Sequence, residues 1–329
     1  MMRIALLGFG SVGRGIAQAI LAKDLDITVT GLADSRSGII DAGGIDLAAA
    51  LARKEQGGPC GNPGVGPMDV VKKADYDVLV EVTPTNVETG EPALGHIREG
   101  LRRRKHVVTS NKGPIALAYP ELRALAEANG VLLKYEATVC GAIPLIHALQ
   151  EGLAGNTISR LCGVFNGTCN YILTRMAEDA LTYEQALAEA RELGYAEADP
   201  TYDVKGIDAA IKLVILANTI LDMHTTLDDV ERTGIDRLTP DALELAEDLD
   251  CTIRLIGEII PGSGVLRVSP RIVPKVHPLV VEGTLNAVTV EADLAGELTF
   301  IGKGAGSTET ASAVIGDLLY IRDRYVQGS

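Results

Sequence analysis

Gly8-Phe9-Gly10-Ser11-Val12-Gly13 follows a short apolar run that starts at Arg3, and a stretch with helical spacing follows it. A glycine turn between a strand and a helix has a defined use. Gly8 allows the tight turn, Gly10 lets a pyrophosphate approach the backbone, and Gly13 lets helix pack closely on strand, while the helix N-terminus faces the anion. Phe9, Ser11 and Val12 complete the turn. Asp34, at the end of the next apolar run and about 20 residues on, is placed to accept the ribose hydroxyls of an adenosine group. This context predicts a Rossmann-type doubly wound parallel sheet of the α/β class.

Outward from the turn, β-branched runs predict strands over 3–8, 29–34, 77–82, 106–110 and 131–137. Helical spacing predicts helices over 12–22, 93–104 and 119–129, the last stopped by Asn129-Gly130. Glycines and prolines crowd 57–67, which reads as a surface loop. After Glu136 the pattern becomes α+β, with strands over 157–165, 252–260, 264–273 and 287–292 and helices over 183–193 and 207–220. A last amphipathic helix over 308–322 is placed to cover the first sheet. The expected organisation is a dinucleotide-binding domain of 1–137 with 305–329, and a substrate-binding, catalytic and dimerisation domain of 138–304.

Composition narrows the function classes. With 329 residues, 47% hydrophobic and 22% charged, the chain is expected to bury a large core without staples. Its 30 basic and 44 acidic residues give a net charge of −14, which disfavours nucleic acid and anionic lipid as partners. Five cysteines without a CxxC pair fit a reducing cytoplasm, and the five histidines show no metal spacing. No signal peptide or bilayer-spanning run is expected.

Cofactor choice stays open at this point. Asp34 favours NAD, whereas Arg36, with Arg53 and Lys54 nearby, suits the 2′-phosphate of NADP, towards which the balance tilts slightly. At the ends of later strands, Thr83-Pro84 and Ser110-Asn111-Lys112 are candidates to touch nicotinamide, and Lys112 to bridge cofactor and substrate oxygen. The acid-rich run from Leu193 to Lys212 puts Asp208 and Lys212 on one helix face at i,i+4. At a surface such a pair is worth under about 1 kcal/mol, so any larger role requires burial.

That run, GYAEADPTYDVKGIDAAIK over 194–212, closely resembles the substrate-site signature of homoserine dehydrogenases. Thr109 to Lys112, Tyr135 to Val139, Phe165 to Ile172 and the glycine turn of Gly302 to Gly306 resemble further family segments, in order, over nearly the whole chain. The resemblance implies an NAD(P)-dependent interconversion of L-aspartate 4-semialdehyde and L-homoserine by a homodimer. It implies Lys212 as proton donor and acceptor, Lys112 as its partner, Glu197 as a substrate ligand, and Asp203 and Asp208 as the rest of the polar pocket. Gly304 and Gly306 would return the chain to the cofactor. A monovalent cation such as Na+ is implied at the Glu136 side chain and the carbonyls of Val139, Gly141 and Ile143. The chain departs from the family in carrying Cys169 where threonine is common, and no regulatory ACT or aspartokinase module is expected.

A cationic lysine suits the chemistry on its own terms, since an aldehyde receiving hydride needs a proton at the developing alkoxide. Two other readings compete. A phosphorylating aldehyde dehydrogenase needs a nucleophilic cysteine, for which Cys140, Cys162 and Cys169 are available. A dinucleotide-sensing regulator needs a DNA-binding or partner-binding module, and the charge and the lack of a basic helix-turn-helix region disfavour it.

Overall fold

The computed structural model describes residues 1–326, so the last residues of the expected 305–329 segment, 327–329, lie outside the described residues. The chain forms two compact units, Met1–Gly141 with Gly306–Ser329, and Ala142–Ala305.

In the first unit the chain runs β1 (Met2–Leu7), α1 (Ser11–Ala22), β2 (Ile27–Ala33), β3 (Gly38–Ile40), α2 (Leu47–Glu55), α3 (Pro67–Lys73), β4 (Val78–Glu81), α4 (Ala93–Arg102), β5 (His106–Thr109), α5 (Lys112–Asn129) and β6 (Leu133–Lys134). The sheet order is β3-β2-β1-β4-β5-β6, parallel except for β3, which is antiparallel to β2. The order reverses between β1 and β4, which makes that edge the place where doubly wound sheets receive a ligand. The core runs through Ile4, Leu6, Ile16, Val29, Leu32, Val78, Val80 and Val108, and a helix over Ser307–Ile321 adds Ala311, Val314, Leu318 and Ile321 to it. The C-terminal helix therefore completes the first unit's core.

Several details differ from the sequence expectations. The helix expected over 119–129 begins at Lys112, because Asn111 caps it by accepting the Gly113 N–H at 3.3 Å; a kink at Ala118 precedes Pro120. The strand expected over 131–137 shrinks to Leu133–Lys134, since Glu136–Thr138 close into a 3-10 turn. β3, α2 and α3 carry no strong sequence pattern of their own. The glycine-rich segment is irregular, as expected, but not wholly on the surface: Cys60 is buried and Asn62 pairs with Gly38.

The second unit follows as α6 (Leu145–His147), β7 (Ile158–Val164), α7 (Gly167–Asp179), α8 (Tyr183–Glu192), α9 (Thr201–Val204), α10 (Ile207–Ile220), β8 (Glu231–Arg232), α11 (Pro240–Glu247), β9 (Cys251–Ile260), β10 (Val265–Pro274), β11 (Leu285–Ala292) and β12 (Gly296–Lys303). Its sheet order is β12-β11-β7-β9-β10-β8. Helices α7, α10 and α11 pack on β9, where Gly257 leaves no room for a side chain: a Cβ there would meet the Phe165 ring at 2.8 Å and Leu213 at 3.2 Å. That close approach is how α10 is drawn into the interior, with Ala209 to Ala217 all buried. α7 and β12 went unpredicted from sequence.

Candidate active site

Burial of α10 takes the pair of its first two turns with it. Asp208 and Lys212 are only 4% and 7% exposed, and Lys212 Nζ donates to Asp208 Oδ2 at 2.7 Å and to the Phe165 carbonyl at 2.6 Å. The surface-pair reading is thereby removed. An ammonium group has three donors, and these two bonds occupy two of them, leaving one direction for a substrate oxygen. Asp208 in turn is held by Asn166, whose Nδ2 donates to Asp208 Oδ2 at 2.9 Å and to Asp203 Oδ1 at 2.7 Å. Asn166 can do this because it sits where β7 ends and α7 starts, capping the helix by accepting the Cys169 N–H at 2.8 Å.

Sequence reasoning thus misses two contributors, the Asn166 amide and the Phe165 carbonyl. An asparagine before a glycine at a strand-to-helix junction signals a cap and nothing more. Cys169 is buried and its thiol donates to the Asp203 carbonyl at 3.2 Å, so it braces α9. Burial pushes that thiol far above its ordinary range, with Asp203 and Asp208 adding to the shift; burial likewise pushes Cys162 up to about 11. Neither is a nucleophile at neutral pH.

Glu197 lies on an exposed loop and hydrogen-bonds to none of Lys212, Asp208 and Asp203. The loop itself is anchored: the Thr168 hydroxyl donates to the Tyr195 carbonyl at 2.7 Å, and the Tyr195 ring lies 4.9 Å from that of Tyr171.

In the first unit the glycine turn has the form that a pyrophosphate requires. A Cβ at Gly13 would stand 1.9 Å from the Gly8 carbonyl oxygen, and one at Gly8 2.4 Å from that of Val82, whereas nothing lies within 4 Å of a Cβ at Gly10. α1 begins at Ser11 without a side-chain cap, so its first N–H groups are open to an anion. A dinucleotide phosphate fits this cradle. Phe9 is buried beneath it and Val12 packs on the same core.

Asp34 is engaged within its own loop. It accepts the N–H groups of Arg36 and Ser37, each at 2.8 Å, and pairs through Oδ2 with Lys54 Nζ at 2.8 Å. Burial pushes its carboxyl up, but the hydrogen bond from Lys54 and those from the loop outweigh it, and the group sits below the usual carboxylate range. The Arg36 side chain is exposed, and Arg53 donates to the Cys60 carbonyl at 3.0 Å. Thr83, Ser110 and Lys112 are half-buried at the carboxyl edge beside the turn.

Glu136 is buried, and its N–H donates to Asp317 Oδ2 at 3.0 Å; Val139 and Gly141 belong to the first unit and Ile143 to the second. Among the described residues no three His, Cys, Asp or Glu side chains converge as a metal cluster. Gly304 abuts the Asn286 side chain in the second unit, and Gly306, at φ 133°, starts the helix that completes the first.

Two family models match the chain, one described as homoserine dehydrogenase over residues 144–319 and one as its NAD binding domain over 8–136. The chain is 48% identical to a homoserine dehydrogenase of Methanocaldococcus jannaschii over 97% of this chain and 98% of that one. It is 40% identical to an NAD(+)-dependent homoserine dehydrogenase of Pseudomonas canavaninivorans, covering 97% and 96%. A crystal structure from Archaeoglobus fulgidus, provisionally described as a homoserine dehydrogenase, superposes with a TM-score of 0.92 at 48% identity, covering 98% and 99%.

Proposed function

The chain belongs to the homoserine dehydrogenase family, and from that premise we propose how its residues divide the work. The enzyme is an NAD(P)-dependent oxidoreductase of amino-acid biosynthesis that interconverts L-aspartate 4-semialdehyde and L-homoserine. The observation that carries our assignment of roles is the buried Lys212–Asp208 pair with one Lys212 donor direction unused.

The nicotinamide, when bound, accepts or supplies the hydride. Gly8, Gly10, Gly13 and the start of α1 would hold the pyrophosphate, while Thr83, Ser110 and Lys112 would face the nicotinamide end. In the oxidative direction Lys212 acts as the neutral amine, with two hydrogens on Asp208 and the Phe165 carbonyl and its lone pair in the third direction. It takes the hydroxyl proton of L-homoserine at Nζ and becomes the ammonium, which returns that proton to the alkoxide oxygen in the reductive direction. Asp208 and the Phe165 carbonyl aim that Nζ by accepting two of its hydrogens. Asp203 and Glu197 supply carboxylates for the substrate ammonium group, with Asn166 fixing the first of them.

NADP is our reading of the preferred cofactor, supported by Lys54 and Arg36 beside Asp34: Lys54 already neutralises the carboxylate that would repel a 2′-phosphate. A Na+ ion at Glu136 and the carbonyls of Val139, Gly141 and Ile143 also remains our proposal, supported by the buried Glu136 carboxylate. A homodimer is supported by exposed Ile272, Leu294 and Ile301 in the second unit, and a cytoplasmic location by five cysteines that form no disulfide. No helix among the described residues is long and apolar enough to cross a membrane.

Absorbance of reduced nicotinamide, followed with L-homoserine and either dinucleotide, tests the assignment. Formation with L-homoserine, independent of phosphate and absent with L-serine or L-threonine, is the expected result. Turnover that requires phosphate would overturn it.

A further inference from the structure

At the carboxyl end of β4 the fold buries a carboxylate that proton and hydride transfer do not use. Glu81 is 0% exposed and in register with Leu7 on β1 and Thr109 on β5, so it stands where the strand order reverses. Its Oε1 accepts the Thr83 N–H at 3.2 Å and also the Thr83 hydroxyl, and the buried His96 imidazole of α4 faces the same oxygen at 3.6 Å. The Thr109 hydroxyl donates to the Glu81 carbonyl at 2.8 Å and accepts the Asn111 N–H at 3.0 Å. Asn111 closes the ring by donating through Nδ2 to the carbonyls of Thr83, at 3.1 Å, and Pro84, at 3.3 Å.

This ring joins the two loops that carry Thr83, Ser110 and Lys112. It also sets a polarity. A carboxylate only accepts, so the Thr83 hydroxyl must spend its single hydrogen on Glu81 and can show only lone pairs to anything outside. Such an oxygen matches a carboxamide N–H or a ribose O–H, and mismatches an acceptor. A fully buried carboxylate is costly to desolvate, and a purely structural tie between two loops does not require one.

We propose that Glu81 is a positioning residue for the nicotinamide end of the cofactor, acting through Thr83, whose hydroxyl it holds as an acceptor, and through the Asn111 tie to the Lys112 loop. The inference rests on the reading that Thr83 and Lys112 face the nicotinamide. In Glu81→Gln the amide can donate to the Thr83 oxygen and reverse its polarity.

Calorimetric titration of the full chain with NADP+ and with 2′-phospho-ADP-ribose, which lacks the nicotinamide, separates this role from a structural one. Glu81→Gln is expected to weaken NADP+ about tenfold, the scale of a lost hydrogen bond to a charged group, while leaving the fragment within about twofold. The KM for L-homoserine is expected to stay near that of the parent. Should Glu81→Gln fail to fold, His96→Asn, which alters only the outer neighbour of the carboxylate, is expected to show a smaller loss confined to NADP+. Thr83→Val and Lys112→Met report on the underlying reading. Selective loss of NADP+ in those two, with equal losses of both ligands or none in the Glu81 and His96 variants, overturns the positioning role alone. Parent-like NADP+ binding in all of them overturns the placement of the nicotinamide, and the proposal with it.

Discussion

Lys212 Nζ stands 2.7 Å from Asp208 Oδ2, one turn back on the same helix, and both side chains are withdrawn from water. At a surface that spacing contributes little. Here the Phe165 carbonyl takes a second donor of the same ammonium group, so the direction of the third is set by the fold before any ligand arrives.

Asn166 is the part of this arrangement most open to a clean test. Asn166→Ala removes the donor shared by Asp203 and Asp208 and the cap of α7, leaving two carboxylates without their bridge. A stability loss of about 1–3 kcal/mol in urea titration is expected, together with a KM for L-homoserine raised about tenfold. Asn166→Asp, which adds a third carboxylate, is expected to be worse on both counts. An unchanged KM would remove Asn166 from the site.

Lys54→Met bears on the choice between dinucleotides. Loss of the ammonium frees Asp34 for ribose hydroxyls and strips a cation from the place proposed for the 2′-phosphate, so the KM for NADP+ is expected to rise about tenfold while that for NAD+ stays level or falls. Equal effects on both would show that the pair does not read the phosphate.

Stability should depend on pH through His106. Burial pushes its imidazole below the ordinary histidine range, Lys105 adding to this and Asp77 opposing it, and Nδ1 accepts the Leu132 N–H at 3.1 Å, which only an unprotonated nitrogen can do. The unfolded chain then binds a proton more readily than the folded one. The contribution is fully present above the unfolded value of about 6.5 and is lost as pH falls through the lower folded value. Melting temperature is expected to drop between neutral and mildly acid pH, and less steeply in His106→Asn, whose amide oxygen can replace Nδ1. Equal slopes would remove His106 as the cause.

What the sequence makes legible is what local pattern encodes. The glycine turn after β1, the parallel strands and the helical run ending in Leu213 to Leu216 each carry their own periodicity, and they appear where expected. β3, of three residues, is defined by its neighbour's hydrogen bonds and has too little length for a period to show, while β6 keeps only two residues of the strand expected over 131–137. In the site, the i,i+4 spacing reveals that Asp208 and Lys212 share a face. Their burial follows from Gly257 letting β9 approach α10, a contact between residues far apart in the chain. Asn166 was hidden for the same reason, since Asp203 and Asp208 lie on other helices, and so was the burial of Glu81 against His96 and Thr109.

The central claim, that Lys212 exchanges the proton at the substrate oxygen, is tested most directly by the turnover number of Lys212→Arg for L-homoserine oxidation. Arginine keeps the cation and a donor towards Asp208 but does not give up its proton at working pH, and Lys212→Ala, which also leaves Asp208 buried and without its cation, is the harsher companion. The account predicts a fall of about 10²–10⁴ in kcat with dinucleotide affinity, measured on the same sample, within about twofold of the parent. Near-normal turnover by the arginine variant, or weakened dinucleotide binding at normal turnover, would contradict it.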